Sequence, residues 1–523
     1  MKRAIFGIGA VLSAGVLAAS SAFAVDPLDY ANSVGQVDEA DTVNWVIGAT
    51  GDGGYVAGGQ TVQCFKQENM VMVSYGGRGG AGDYADAVSM SECVEYFEEH
   101  PNEVWWNKEE SLVSQICGSG GSVEKLTGGR GAAADGYYFY SCVDYITKIK
   151  QNGDKEWLTT LDTGEMPVAV GETNGDYRLI TERGEVYTVN KSDGADGIVG
   201  SMSSNYSYFD DAIVNKDGTT IADSRWDGGV TLYAANGSVV RRMRDLNVKP
   251  DDVGDQVVHY IEPGMIEGAV KPLVKSADGG ILAARYVATV SEIDEEGEPE
   301  YSDAKLEIVK LSSDMRTATP VVTITAEDAE ESGIDIVLPI SSDSDGNIMA
   351  FTSIYNEESG SSETYVVSYD KTGKQLAAKK VQDVLGITDE QMEEMMDDPD
   401  VYASKAPKVL SEFTVMDPIN NKLRRLSPQL TDVYSYTLAE GETINDVTAL
   451  TDGSLAGVGG STKSTTNYAV TGAMNGTYLR LAKINNNNTA NPQTSDDFKM
   501  IAAGAAVVVL VAGGLIMKGG KRR

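Results

Sequence analysis

Two kinds of side chain in this chain can do covalent or acid–base chemistry at defined positions. The first is cysteine: Cys64, Cys93, Cys117 and Cys142 are the only four, and they fall within one stretch of the N-terminal third. Their spacings of 29, 24 and 25 residues match no zinc pattern, so His100 beside them does not imply a metal centre. In an exported chain an even count favours two disulfides, with three possible pairings. A nested arrangement, Cys64 with Cys142 and Cys93 with Cys117, is the one the flanking elements favour. The second kind is the carboxylate. With 78 Asp and Glu, chance pairs occur everywhere, so paired carboxylates for glycoside hydrolysis cannot be located by sequence. The two histidines, His100 and His259, sit in no nucleophile–histidine–acid motif. Asp343-Ser-Asp345-Gly-Asn347 opens like a calcium loop but lacks the downstream bidentate Glu, and reads as a turn. No catalytic, cofactor or metal residue is assigned.

The elements around the cysteines suggest how they are held. Strands over Tyr55–Ala57 and Tyr137–Ile149 would be hairpin neighbours, with an insertion over 65–135 between them. Within it, Ser91–His100 and Val104–Ile116 read as two short helices, too small to build a core without a staple. Tyr96, Phe97, Trp105 and Trp106 lie on these helices. They are either the insertion's own small core or a ligand contact, since aromatics on loops recognise sugars and proteins.

Composition restricts the partners. The 523 residues exceed one ordinary domain, and 41% hydrophobic content supplies a large core. A formal charge of −36 excludes nucleic acid, which needs clustered cations, and disfavours anionic membrane surfaces.

Both ends carry targeting patterns. Lys2 and Arg3, the apolar Ala4–Ala19 and the small residues Ala22 and Ala24 form a secretory signal over 1–24. At the other end, the apolar run 500–517 spans about 27 Å as a helix, enough to cross a hydrocarbon core. The basic tail 518–523 follows, which the positive-inside rule keeps in the cytoplasm. A polar linker, 485–499, precedes the run and contains Asn491-Pro492-Gln493-Thr494. This order of tetrapeptide, apolar span and basic tail resembles the sorting signal of Gram-positive sortase substrates, in the variant form built on Asn-Pro-Gln-Thr. The resemblance implies that a sortase cuts after Thr494 and joins its carbonyl to an amine of cell-wall peptidoglycan. Loss of 1–24 and 495–523 removes two cations and a net three more, taking the formal charge to −41.

Between the ends, residues 25–484 repeat a unit of strand, Asp-Gly turn and strand. Instances are Val43–Thr61, Asp211–Ala222, Gly268–Arg285, Ile336–Phe351 and Asn445–Ser461. A second half-unit, strand then Asn-Gly or Thr-Gly then strand, appears at Tyr145–Trp157, Gly229–Val240 and Tyr365–Leu376, and in shorter form at Tyr478–Ile484. Glycine takes the positive φ that tight hairpins need. Two hairpins make a four-stranded sheet, and such sheets bury both faces by stacking radially. The Asp52–Gly59 segment resembles blade openings of bacterial surface β-propellers. The chain therefore reads as all-β: a propeller of six to seven four-stranded blades with a small disulfide-stapled helical insertion, plus a C-terminal transmembrane helix. A seventh blade would lie near Ser411–Leu438, inside a segment, 385–440, that otherwise reads as an irregular insertion. Thr388–Gln391 is a capping box opening a short helix.

These features predict a cell-wall-anchored surface protein, exported and held at its C-terminus, that binds a host or environmental protein or glycan without a cofactor. Two other functions fit the same residues: a surface glycan hydrolase using paired carboxylates, and a structural wall or pilus component.

Overall fold

A computed structural model describes residues 28–33, 42–67, 86–100 and 137–481, apart from 162–163, 193, 203–207, 225–228, 251, 262, 264–271, 294–298, 333, 357–360, 389, 392–405, 439–441 and 462–476. The strands form seven antiparallel sheets, each built from consecutive strands except at one place. Blade 1 is Thr42–Ala49, Tyr55–Gln67, Tyr137–Ile149 and Lys155–Thr160. Blade 2 is Pro167–Glu172, Asp176–Thr181, Glu185–Asn190 and Asp196–Ser201; blade 3 is Phe209–Val214, Thr220–Ser224, Thr231–Tyr233 and Val239–Arg242. In blade 4, Gln256–Ile261 and Val274–Lys275 both pair with Ile281–Ile293, followed by Pro299–Leu311 and Ala318–Thr325. Blade 5 is Ile334–Ser342, Ile348–Asn356, Ser361–Tyr369 and Gln375–Lys380; blade 6 is Lys408–Leu410, Thr414–Asp417, Lys422–Leu426 and Asp432–Thr437. Blade 7 is Glu442–Ala449, Leu455–Ser461 and Thr477–Leu481, and its outer strand is Leu28–Ser33 from the start of the chain. That strand runs antiparallel to Thr477–Leu481, Ser33 opposite Thr477, so the last blade is completed by the first strand and the ring is closed.

The repeated Asp-Gly and Asn-Gly pairs have one structural cause. In blade 3, Asn215 N donates to Thr219 O (2.8 Å) and Gly218 N to Asn215 O (2.9 Å), while Asp217 Oδ1 accepts from Thr219 N (3.0 Å). Ala234–Ser238 repeats this, with Asn236 Oδ1 accepting from Ser238 N at 3.1 Å. The Asp or Asn side chain ties down the turn, and the following Gly takes φ +84° in both. The Asp343 carboxylate is used in the same way, accepting from Asp345 N and Asn347 N.

Blade 6 departs from this chemistry, which explains why 385–440 reads as irregular. Its three turns reach positive φ with Glu412 (61°), Phe413 (52°), Asn421 (50°) and Leu430 (56°) instead of glycine. Phe413 and Leu430 are buried, so packing of the bulky side chains holds backbone conformations that these residues rarely adopt alone. The irregular insertion is thus corrected to a full blade. Just before it, the Thr388 box forms as read, Gln391 N donating to Thr388 Oγ1 and Thr388 N to Gln391 Oε1.

The core is a set of seven seams, one between each pair of neighbouring blades. Ile47, Tyr55, Tyr145 and Ile149 of blade 1 meet Leu450, Val458 and Tyr478 of blade 7. Val46, Val56, Ile146 and Leu161 meet Val170, Tyr177 and Leu179 of blade 2. The same holds onward around the ring. Polar brackets cross the inner strands: Ile47 N donates to Asp446 Oδ2 (3.1 Å), Asn445 Nδ2 to Asn44 O (2.8 Å), and Leu273 N to Asp211 Oδ2 (3.2 Å).

The nested disulfide arrangement is overturned. Cys64 bonds to Cys93, with Cα atoms 6.1 Å apart. Cys142 is also in a disulfide, and the remaining cysteine, Cys117, lies outside the described residues. The strands expected to be hairpin neighbours do pair, but Cys64 stands opposite Tyr140 and Cys142 opposite Val62. Diagonal positions on neighbouring strands are about 7–8 Å apart, beyond the reach of a disulfide. The segments 1–24 and 485–523, including Asn491, Pro492, Gln493, Thr494 and the apolar run 500–517, lie outside the described residues. No helix among the described residues is long and apolar enough to cross a membrane.

Candidate functional site

Blade-to-blade links and second-to-third-strand turns emerge on the same face of the ring, because strands alternate in direction. The cysteine-bearing insertion interrupts the second-to-third-strand hairpin of blade 1 and therefore stands on that face. Both strands of that hairpin are 13 residues long, as are those of blade 4, against six in blade 2. Seven extra residues raise each hairpin by about 20 Å. Blades 1 and 4 stand on roughly opposite sides of the ring, so two walls border the face.

The far end of the blade 1 hairpin is a packed unit. The helix Met90–Glu99 starts at Ser89, whose hydroxyl accepts from Glu92 N. It ends at His100, whose Nδ1 lies 2.8 Å from Tyr96 O. Tyr96 stacks on His100 (4.3 Å between ring centroids) and on Tyr138 (4.5 Å), and Phe97 meets it edge-on at 5.3 Å. Tyr138 donates to Glu92 Oε1, and the Lys66 ammonium sits over its ring. Tyr96 and Phe97 are 8% and 5% exposed, so these two candidates for ligand contact are packing residues. Trp105 and Trp106 lie outside the described residues.

Lower on the same hairpin, where Asp144 stands opposite Gln60, lies a group of carboxylates that sequence reading did not single out. Trp45, on the inner strand of blade 1, donates its Nε1 to Gln60 Oε1 (2.8 Å), and Gln60 Nε2 donates to Asp144 Oδ1 (2.9 Å) and Gly164 O (3.3 Å). Asp144 is fully buried, and its Oδ2 has no hydrogen-bond partner among the described residues. Burial pushes its carboxyl well above the usual carboxylate range, against the Gln60 hydrogen bond, and Glu165, Glu182 and Glu185 push the same way. Burial thus favours the protonated form of Asp144.

Glu165 sits in the link from blade 1 to blade 2, and Glu182 in the second turn of blade 2. Burial, then the charge and hydrogen bonding of Glu165, raise the Glu182 carboxyl to about 7. Glu165 hydrogen-bonds to the Glu182 carboxyl. Arg183 Nε donates to Glu165 Oε2 (3.1 Å), and its guanidinium lies 4.7 Å from the ring of Tyr208, one of the more exposed aromatics. The one signal that could have found Asp144 is its place in the strand Tyr137–Ile149, where Cys142 and Ile146 on either side of it are buried. Glu165 and Glu182 carry no such mark among 78 acids.

On the opposite face, an open cleft between blades 7 and 1 is lined by Asp52, Lys150, Gln151, Asn152, Glu156 and Arg480. Arg480 there is already engaged by Gln151 O and Asp452, so the cleft joins blades. No group of three or more metal-ligating side chains occurs among the described residues.

By sequence the chain matches no protein-family profile and no curated protein. By structure it is similar to BamB from Moraxella catarrhalis, at 11% identity and a TM-score of 0.27, covering 65% of this chain and 79% of that one. It is also similar to a streptogramin B lyase, at 10% identity and a TM-score of 0.28, covering 61% and 95% respectively. Likenesses this distant carry no argument about function, and the propeller assignment rests on the strand order of this chain.

Proposed function

We propose that this chain is an exported surface protein, joined to the cell wall through a sortase-type signal at Asn491–Thr494, whose propeller binds a protein or glycan on the face bearing the insertion. The observation that supports binding there is the insertion itself. A ring already closed by seven blades has no structural need of it, yet Cys64–Cys93 holds its helix against the tall hairpin of blade 1. The test is a binding screen of residues 26–490 against glycans and matrix proteins, comparing wild type with Trp105→Ala/Trp106→Ala. A ligand bound by wild type and lost in the variant supports the insertion as contact element; equal binding removes it.

A further inference from the structure

The outer rim of blade 3 differs in charge from the rest of the chain. Val239–Val253 holds four cations, Arg241, Arg242, Arg244 and Lys249, and three acids, Asp245, Asp251 and Asp252, with the cations gathered in its first eleven residues, in a protein where acids outnumber bases 78 to 42. It is also apolar. Val239, Val240, Val248 and Val253 are 45%, 51%, 47% and 52% exposed, four of the seven exposed large hydrophobic residues among those described. Arg241 donates to Met315 O of blade 4 and so ties two blades. Arg242, Arg244 and Lys249 form no ion pair among the described residues.

The segment is rigid. Met243, between Arg242 and Arg244, is fully buried in the seam of blades 3 and 4, and its N donates to Val230 O at 2.8 Å. Val248 exchanges two backbone hydrogen bonds with Val258, and Asn247 Oδ1 accepts from Tyr260 N. The cations and valines are thereby presented in one arrangement before anything binds, which lowers the entropy lost on binding. Val239–Arg242 is also the outermost strand of its sheet, and its outer side pairs with no other strand among the described residues.

We propose that this rim is a docking surface for an acidic polypeptide segment bearing apolar side chains. Charge complementarity requires the acid, and exposed valines beside the cations favour a polypeptide over a purely polyanionic polymer.

The test is fluorescence anisotropy of a short labelled peptide alternating Glu and Val, titrated with the purified protein at low salt. Competitors are poly-Glu and inorganic polyphosphate. The proposal expects binding by wild type, about tenfold weaker binding by Arg242→Glu/Arg244→Glu, a comparable loss in Val240→Asp, and weak competition by the two polyanions. Thermal melts confirm folding of each variant, with Arg244→Gln/Lys249→Gln as a milder second pair. Absence of wild-type binding, or binding unchanged in folded variants, overturns the proposal. Polyphosphate competing as well as the peptide overturns it in favour of a polyanion site.

Discussion

Replacing Glu182 by Gln tests the electrostatics of the insertion-bearing face. In the folded protein its carboxyl titrates near 7, against 4.5 ordinarily, because it is buried and lies against Glu165. A carboxyl raised on folding stabilises the native state fully below its ordinary value, and that contribution is lost as pH rises through the folded value. Wild type should therefore lose stability between pH 4.5 and 7 at this site, by at most about 3 kcal/mol for a rise of this size. Asp144 adds a loss of the same sign, since burial raises its carboxyl too. Glu182→Gln keeps a hydrogen-bonding group beside Glu165 but removes the titration. The variant should equal wild type near pH 5 and exceed it by about 1–3 kcal/mol at pH 8. Urea unfolding at half-unit pH steps, monitored by tryptophan fluorescence, measures this directly. Parallel pH profiles for the two proteins from pH 5 to 8 would refute the raised Glu182 carboxyl.

Three further outcomes follow from the fold. Deleting residues 25–34 removes the outer strand of blade 7 and should lower the melting temperature and expose the amides of Thr477–Leu481 to hydrogen exchange; an unchanged exchange pattern would mean that ring closure does not depend on this strand. Lys148 is 1% exposed and donates to Thr50 Oγ1 (2.8 Å), Ile149 O (3.4 Å) and the exposed Asp52 Oδ1 (2.9 Å), so Lys148→Met should cost about 1–3 kcal/mol in urea unfolding by taking the donor from the buried Thr50 and Ile149 oxygens. Gly237→Ala should cost more than Gly279→Ala in the same assay, although both have φ above 80°, because a Cβ at Gly237 would lie 2.4 Å from Ser201 O whereas one at Gly279 meets nothing within 4 Å; equal costs would show that backbone conformation alone sets the penalty.

How far the structure could be read in advance varied with the chemistry of the turns. Wherever Asp or Asn followed by Gly closes a hairpin, as at Asp52-Gly53, Asp217-Gly218 and Asp452-Gly453, the local pattern exposed the blade, because the side-chain acceptor and the positive φ both need those residue types. Blade 6 was nearly invisible, since Phe413 and Leu430 hold the same turn positions by tertiary packing that no short window reveals. The closing strand Leu28–Ser33 has no turn of its own to announce it and acquires meaning only from a partner more than 440 residues away. The disulfides failed for a related reason: the hairpin was legible from strand pattern, but its register was not, and register decides which cysteines can meet. The carboxylates of the candidate site were illegible because their proximity comes from the packing of two blades.

The account's central claim is that this propeller is displayed outside the cell on a covalent wall linkage. Mass spectrometry of the protein released from isolated, muramidase-digested cell wall tests it most directly. The account predicts a C-terminal peptide ending at Thr494 and carrying a wall-peptide fragment, absent when Thr494 is replaced by Ala. A peptide that continues past Thr494 into the apolar run 500–517, with no wall fragment attached, would contradict it.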